Sequence, residues 1–137
     1  MLLIAQRHAH SNRERTMSTQ NQKILINWRE GCADAEKATI TLILAVTSSK
    51  TCETAVFVAA EASELLLKGV ADDVTAPGYE PLADLLQAFL ANGGKLWLCP
   101  ACVKAKGFNE ADLIDGVEIA GAPRTMAFLA EGAQVLA

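Results

Sequence analysis

The chain has 137 residues, which is enough for one domain around one hydrophobic core. Its formal net charge is −4 and its basic residues form no dense stripe beyond position 29, so a nucleic-acid partner is not expected. No apolar run approaches the roughly 18 residues that span a bilayer, and the apolar start is too short for a signal peptide. Four cysteines, at positions 32, 52, 99 and 102, are too few for a secreted disulfide framework. We therefore expect a cytoplasmic protein without a membrane partner.

The first 22 residues are predicted to form a disordered tail, followed by a single domain over residues 23–137. The tail mixes His8 and His10 with arginine, serine, asparagine and glutamine, and its apolar residues show no sustained period. Such a segment cannot bury enough apolar surface to order itself. Met17 is an alternative start, and the sequence leaves open which methionine is used.

Short apolar runs alternate with helical patterns along the rest of the chain, which predicts alternating strands and helices. The predicted strands cover residues 23–28, 54–59, 95–98, 117–120 and 133–136. The predicted helices cover residues 35–47, 61–68, 81–91 and 124–131, with a loop over 70–79. The first helix is predicted although Thr39 to Leu44 is β-branched and alternating, because a parallel sheet needs a crossover there. The alternation predicts a three-layer α/β sandwich with a mostly parallel central sheet of about five strands.

The sequence Cys99-Pro100-Ala101-Cys102 directly follows the third predicted strand. Proline is favoured at the first helical position and glycine just past the last, so Pro100 and Gly107 bracket a short helix with Cys99 as its N-cap. Free amides and the positive end of a helix favour the reactive thiolate. We expect the N–H groups of Ala101 and Cys102 to stabilise an anion on Cys99. The motif predicts thiol or sulfur chemistry, with a buried structural Cys99 as the alternative.

Ligands of open α/β sheets bind outside the carboxyl ends of the strands. Cys99 and the loops after the first two predicted strands all lie at such ends, so one pocket is expected there. Trp28 is a candidate for lining it, and Glu61 is a candidate proton-transfer group. Pro100 and Ala101 complete the candidate binding residues. Trp97 is expected in the core.

Other cysteine chemistries fit the chain less well. A structural zinc site usually takes four ligands in two close pairs, and this chain has one close pair, so neither a metal nor another cofactor is expected. In a thioredoxin-like protein most of the sheet follows C-x-x-C, whereas only 35 residues follow Cys102. Cys102 either resolves an intermediate on Cys99 or packs in the core, and Cys32 and Cys52 are expected to be structural.

The segments around this motif resemble the C-terminal half of the DsrE/DsrF-like family of sulfur-relay proteins. The resemblance rests on Leu96 to Cys99, Lys104 to Gly107, Ala111 to Ile114 and Gly116 to Gly121. It extends backwards through Thr54 to Gly69, and covers residues 23–137 as a whole.

The resemblance implies a small α/β sandwich, usually assembled as trimers or hexamers. It also implies a persulfide on a single cysteine, matched here by Cys99, with sulfur donor and acceptor proteins as partners. Cys102 departs from that pattern, which leaves sulfur carriage and disulfide cycling as alternatives. A non-catalytic binding or assembly protein of the same fold is a third possibility, so an activity as sulfurtransferase stays open. The high apolar content also favours a homo-oligomer.

Overall fold

A computed structural model of the protein describes residues 22–137, so the predicted tail, apart from its last residue, and the alternative start at Met17 lie outside the described residues. Within residues 22–137, five strands form one sheet. They are β1 (Lys23–Trp28), β2 (Glu53–Val58), β3 (Lys95–Leu98), β4 (Val117–Ile119) and β5 (Gln134–Leu136). The strand order is β4-β3-β2-β1-β5 and every neighbouring pair is parallel. The predicted sheet is therefore confirmed.

Four α-helices and four short 3-10 segments connect these strands in the described part of the chain. The helices are α1 (Ala35–Ser49), α2 (Leu82–Ala91), α3 (Pro100–Lys106) and α4 (Ala122–Ala130). The 3-10 segments are Cys32–Asp34, Ala60–Leu66, Ala71–Asp73 and Glu110–Asp112. None of the helices in residues 22–137 combines the length and apolar character that crossing a membrane requires.

Helix α1 confirms a prediction made against local propensity. Asp34 caps it, since its side chain accepts a hydrogen bond from the Lys37 N–H. The hydroxyls of Thr39, Thr41 and Thr47 each donate to the carbonyl oxygen four residues earlier, so these polar side chains are satisfied inside the helix. The demand for a crossover between two parallel strands outweighs the weak strand preference of this segment.

The segment after β2 departs from its prediction as a helix over 61–68. It is a 3-10 helix over Ala60–Leu66, entered from the extended residue Ala59 and followed by the extended residue Leu67. Leu67 forms an antiparallel bridge with Leu113, which draws the chain out of the helix before Lys68. The region predicted as a loop over 70–79 contains one further 3-10 turn.

The two faces of the sheet are covered unequally. Helices α1 and α2 and the segment Ala60–Leu66 cover one face and enclose the larger core cluster. Helix α4 covers the other face, where Phe128 packs on a small cluster with Leu25, Ala55 and Trp97. The rings of Trp97 and Phe128 meet edge to face, with centroids 5.3 Å apart. This arrangement confirms the three-layer sandwich and the core position of Trp97.

Candidate functional site

Cys99 leaves β3 at the carboxyl edge of the sheet. Its N–H donates to the Val58 carbonyl at 2.9 Å, which extends the β2–β3 ladder by one residue. Its own carbonyl accepts the N–H groups of both Cys102 and Val103 at 3.1 Å, as an N-cap carbonyl does. Pro100 is the first residue of α3, and Gly107 ends the helix in the left-handed conformation. The local geometry predicted from the sequence is therefore present.

The expected amide contacts to the Cys99 sulfur are absent from this local geometry. The Cys99 side chain makes no capping hydrogen bond. The N–H of Cys102 is taken by the Cys99 carbonyl, and Pro100 has no N–H to offer. Pro100 and Ala101 are exposed beside the half-buried Cys99, so they form surface around the thiol rather than a cradle for an anion.

The sulfur of Cys102 is fixed by a hydrogen bond from the protein backbone. Its Sγ accepts a hydrogen bond of 3.3 Å from the backbone N–H of Ala60. Partial burial raises the pKa of Cys102, but the hydrogen bond from the Ala60 N–H, the nearby Cys99 thiol and Ser63 hydroxyl, and the positive charge of Lys106 together outweigh it. The net effect lowers the pKa of Cys102 below its ordinary value. The site therefore favours a thiolate at the second cysteine of the motif.

Ser63 has a buried hydroxyl group close to the sulfur of Cys102. Its side chain is 0% exposed, and Oγ makes no hydrogen bond of normal geometry with the described residues. The hydroxyl is nevertheless close enough to Cys102 to lower the pKa of the thiol. A buried polar group without a partner calls for an explanation. Its nearness to Cys102 gives this hydroxyl a group to which it can donate.

The three loops expected to converge do meet at the carboxyl edge. The loop after β1 binds the segment after β2, because the Ala62 N–H donates to the Arg29 carbonyl at 3.1 Å and the Ala59 N–H to the Trp28 carbonyl at 3.0 Å. Cys99 joins them through Val58. Chemistry-bearing residues from three strands therefore lie along one edge of the sheet.

Trp28 and Glu61 occupy different environments. Trp28 shares the inward face of β1 with Ile26 and is 0% exposed in the larger core cluster. Its ring therefore lines no open pocket. Glu61 is exposed and borders a shallow surface cavity of about 310 Å³. The lining of that cavity, which includes neither Cys99 nor Cys102, is Arg29, Glu30, Gly31, Ala33, Asp34 and Glu61.

The other two cysteines lie apart from the pair. Cys52 directly precedes β2 and is therefore at the amino edge of the sheet, and Cys32 is exposed in the 3-10 turn before α1. All four cysteines are free thiols. Among residues 22–137, no group of three or more histidine, cysteine, aspartate or glutamate side chains is arranged to hold a metal ion.

Fold and site together define a class: a three-layer α/β sandwich with a pair of thiols at the carboxyl edge of a parallel sheet. The sequence model of the DsrE/DsrF-like family matches residues 22–137, and the chain belongs to that family. The resemblance noted from the motif segments is thereby confirmed.

The chain is also similar to individual proteins. The chain is 32% identical over 119 residues to the uncharacterized protein MJ0760 of Methanocaldococcus jannaschii, a match that covers 86% of this chain and 43% of that protein. The chain therefore spans less than half the length of this curated relative. Among solved structures, the ychN protein from E. coli has a TM-score of 0.67 at 22% identity, covering 84% of this chain and 99% of that one. MTH1491 from Methanobacterium thermoautotrophicum, of unknown function, has a TM-score of 0.62 at 12% identity over 85% and 98% of the two chains. These structural likenesses show the fold.

Proposed function

We propose that this protein is a sulfur carrier in which Cys99 accepts a sulfane sulfur and passes it to a thiol of a partner protein. Membership of the DsrE/DsrF-like family supports sulfur relay in general. The observation that carries the proposal is the placement of Cys99: a half-buried thiol at the carboxyl edge, followed by the exposed residues Pro100 and Ala101 and close enough to Cys102 to lower the pKa of that thiol.

The pair of thiols supplies the activation that a nucleophile needs. Cys99 and Cys102 are the N-cap and the third residue of α3, and a backbone hydrogen bond from Ala60 holds the Cys102 sulfur beside the Cys99 thiol. Cys102 is therefore the base next to the Cys99 proton, and Ser63 and Lys106 lie close enough to lower its pKa further. Cys102 takes the Cys99 proton as Cys99 attacks the donor, because the lowered pKa of Cys102 keeps the negative charge there until the attack.

The transfer itself is an exchange between thiolates and persulfides. The Cys99 thiolate attacks the outer sulfur of the donor's persulfide, a new S–S bond forms, and the donor leaves as a thiolate. The acceptor's thiolate then attacks the outer sulfur of the Cys99 persulfide, and Cys99 leaves as a thiolate. The sulfane sulfur keeps its oxidation state throughout, so the two steps balance without an added oxidant or reductant.

Partner access follows from the surface around Cys99. Exposed Pro100 and Ala101 leave the thiol open to a protein that presents its own cysteine on a projecting segment. We place donor, carrier and acceptor in the cytoplasm, because the exchange needs all three thiols reduced.

A trimer or hexamer is part of the proposal. It is supported by apolar side chains left exposed on α4 and β5, where Met126 is 62% and Val135 is 54% exposed. Light scattering on a size-exclusion column tests it. A single peak at the monomer mass of 14.6 kDa would refute the assembly and leave the carrier chemistry standing.

Mass spectrometry after treatment with glutathione persulfide tests the carrier function. We expect a gain of about 32 Da, one sulfur atom, at Cys99. Trypsin leaves both thiols of the motif on one peptide, Leu96 to Lys104, so the assignment is made with Cys99→Ser and Cys102→Ser variants. Cys52→Ser is the matched control and should load like the wild type. Loading that survives in Cys99→Ser and disappears in another variant would overturn the proposal.

A further inference from the structure

We propose that Cys102 resolves the Cys99 persulfide within the same chain, releasing the sulfur as hydrosulfide and leaving a Cys99–Cys102 disulfide. This inference rests on the proposed sulfur-carrier function and adds a second activity to it: reduction of sulfane sulfur at the expense of a dithiol. The sulfur on Cys99 would then have two exits, transfer to a partner thiol or release as hydrosulfide.

The first support is the spacing of the two sulfurs. Cys99 and Cys102 are the cap and the third residue of α3, joined by the hydrogen bond from the Cys102 N–H to the Cys99 carbonyl. Residues three apart on a helix have Cβ atoms about 5–6 Å apart, and disulfides form across Cα separations of about 4.4–6.8 Å. The Cys99 thiol is close enough to Cys102 to lower the pKa of that thiol. The spacing of the two residues along the helix therefore permits a disulfide between them.

The second support is the way the protein holds the attacking sulfur. Cys102 Sγ accepts the Ala60 N–H at 3.3 Å, and Ala60 has a φ of +54°, a conformation uncommon for alanine. The segment that carries Ala60 is fixed on both sides, since Ala59 and Ala62 donate to the Trp28 and Arg29 carbonyls. The strained residue thus aims a fixed donor at one sulfur, as expected for a functional thiolate and not for a packed thiol.

The third support is Ser63. Its hydroxyl is 0% exposed and unpartnered, on the same segment as Ala60 and close to Cys102. Two donors from the segment after β2 therefore lie near the sulfur that would attack Cys99. A thiolate needed only as a base would not require a buried donor kept free of other partners.

The chemistry balances within the chain for one turnover. The Cys102 thiolate attacks Sγ of the Cys99 persulfide, an S–S bond forms between the two cysteines, and the bond from Sγ to the outer sulfur breaks. The electron pair leaves with the outer sulfur, which already carries its proton and departs as hydrosulfide. The sulfane sulfur gains two electrons, and the two cysteines lose them in forming the disulfide. An external dithiol reduces that disulfide by exchange and restarts the cycle.

A single-turnover experiment tests this exit. Reduced protein is loaded with glutathione persulfide, desalted, and held at pH 7 without reductant while hydrosulfide and intact mass are followed. The wild type should release about one hydrosulfide per chain and lose about 2 Da relative to the reduced protein, with the bond mapped inside the Leu96 to Lys104 peptide. Cys102→Ser should keep its added sulfur and release at least about tenfold less hydrosulfide. Cys52→Ser should behave like the wild type.

The outcomes separate this inference from the function on which it rests. If Cys102→Ser holds the sulfur and the loaded wild type holds it equally long, the internal exit is refuted and the carrier function stands. If neither protein loads at Cys99, both are refuted. Hydrosulfide release at equal rates from the wild type and Cys102→Ser would mean that a thiol other than Cys102 attacks, which also overturns the inference.

Discussion

The backbone N–H of Ala60 donates a hydrogen bond to Sγ of Cys102, so the residues that follow β2 and the first turn of α3 meet at one sulfur atom. Ala60 is held in the left-handed region, where a residue other than glycine costs about 1–3 kcal/mol. The hydrogen bonds on either side of it, to the Trp28 and Arg29 carbonyls, keep it there. This contact ties the chemistry of the thiol pair to the backbone of a segment that contains no cysteine.

Alkylation of Cys102 should follow a pH profile displaced to lower pH by folding. The pKa of Cys102 is lowered in the native protein, so more of the thiol is ionised at neutral pH than in the unfolded chain. The rate of reaction with iodoacetamide, measured against pH in Cys99→Ser, should therefore have its midpoint below the value found in urea. Because the native pKa is the lower one, the thiolate stabilises the fold above the unfolded pKa, and that contribution fades as pH falls through the native pKa. Coincident midpoints would contradict the assignment.

Ser63→Ala should change the chemistry of Cys102 and barely change stability. The Ser63 hydroxyl has no normal hydrogen bond to lose, so we expect a change in unfolding free energy within about 1 kcal/mol. The pKa of Cys102 should rise, and its alkylation at pH 7 should slow. Ser49→Ala is the opposite control, because Ser49 Oγ donates to the Val46 carbonyl and accepts from Asn92. It should lose about 1 kcal/mol and leave Cys102 unaffected. Urea unfolding and the rate of Cys102 alkylation are measured on both variants. Equal alkylation rates of Cys102 in Ser63→Ala and Ser49→Ala would refute the role of Ser63.

Gly31→Ala should disturb the site from a distance. A Cβ at position 31 would lie 2.7 Å from the carbonyl oxygen of Glu61, so the loop after β1 and the segment that begins at Ala60 must separate. We expect a loss of about 1–3 kcal/mol and slower alkylation of Cys102, because the Ala60 N–H moves with Glu61. Gly69→Ala is the control. Its φ is +85° with open space around the position, so it should lose about 1–2 kcal/mol through backbone strain alone. If Gly31→Ala leaves Cys102 as reactive as Gly69→Ala does, the coupling is absent.

The ion pairs at the amino edge of the sheet should contribute little to the free energy of unfolding, and that contribution should fall as the salt concentration rises. Lys95 donates to Glu53 at 3.0 Å, and Lys23 lies 3.6 Å from the same carboxylate. The hydrogen bond from Lys95 lowers the pKa of Glu53 most strongly and, with the charges of Lys95 and Lys23, outweighs the opposing effect of burial, so the stabilisation is present above the unfolded pKa and is lost as pH falls through the native one. The Glu53 side chain is 39% exposed, and Glu53→Gln should therefore lose less than about 1 kcal/mol. Urea unfolding at low and high salt checks this, and a loss that high salt does not reduce would contradict it.

The strands and the short helix that position the site are predicted well from the sequence. Hydrophobic periodicity marks the strands, and a proline and a glycine mark the two ends of the helix. Strands β1 and β3 have the predicted bounds, and Pro100 and Gly107 bracket α3 as expected. The burial of Trp28 follows from alternation along β1, which places it on the same inward face as Ile26. Its position at the end of a strand is the ground for the expectation that it lines a pocket, and alternation is the better guide here.

The contacts to Cys102 could not be predicted in the same way. An alanine in the left-handed conformation has no sequence signature, because the residue type that marks this region is glycine. Ser63 could have been noticed as a small polar residue within a buried stretch, since Ala62, Leu65 and Leu66 around it are all in the core. Its proximity to a cysteine 39 positions later depends on how the segment after β2 packs against α3, which is a tertiary property.

The extension of the β2–β3 ladder by the Cys99 N–H has a consequence for motion. β2 and β3 lie inside the sheet, flanked by β1 and β4, and such strands open to solvent only in large cooperative unfolding events. The Cys99 amide should therefore exchange its hydrogen for deuterium nearly as slowly as the amides of the core. The backbone of Cys99 then stays in place while partner proteins bind and dissociate. The Ala60 amide is bound to a sulfur atom instead of a carbonyl oxygen. The exchange rate of the Ala60 amide should therefore depend on the chemical state of Cys102. The Cys99 amide reports whether the sheet is intact, and the Ala60 amide reports the charge at the Cys102 thiol.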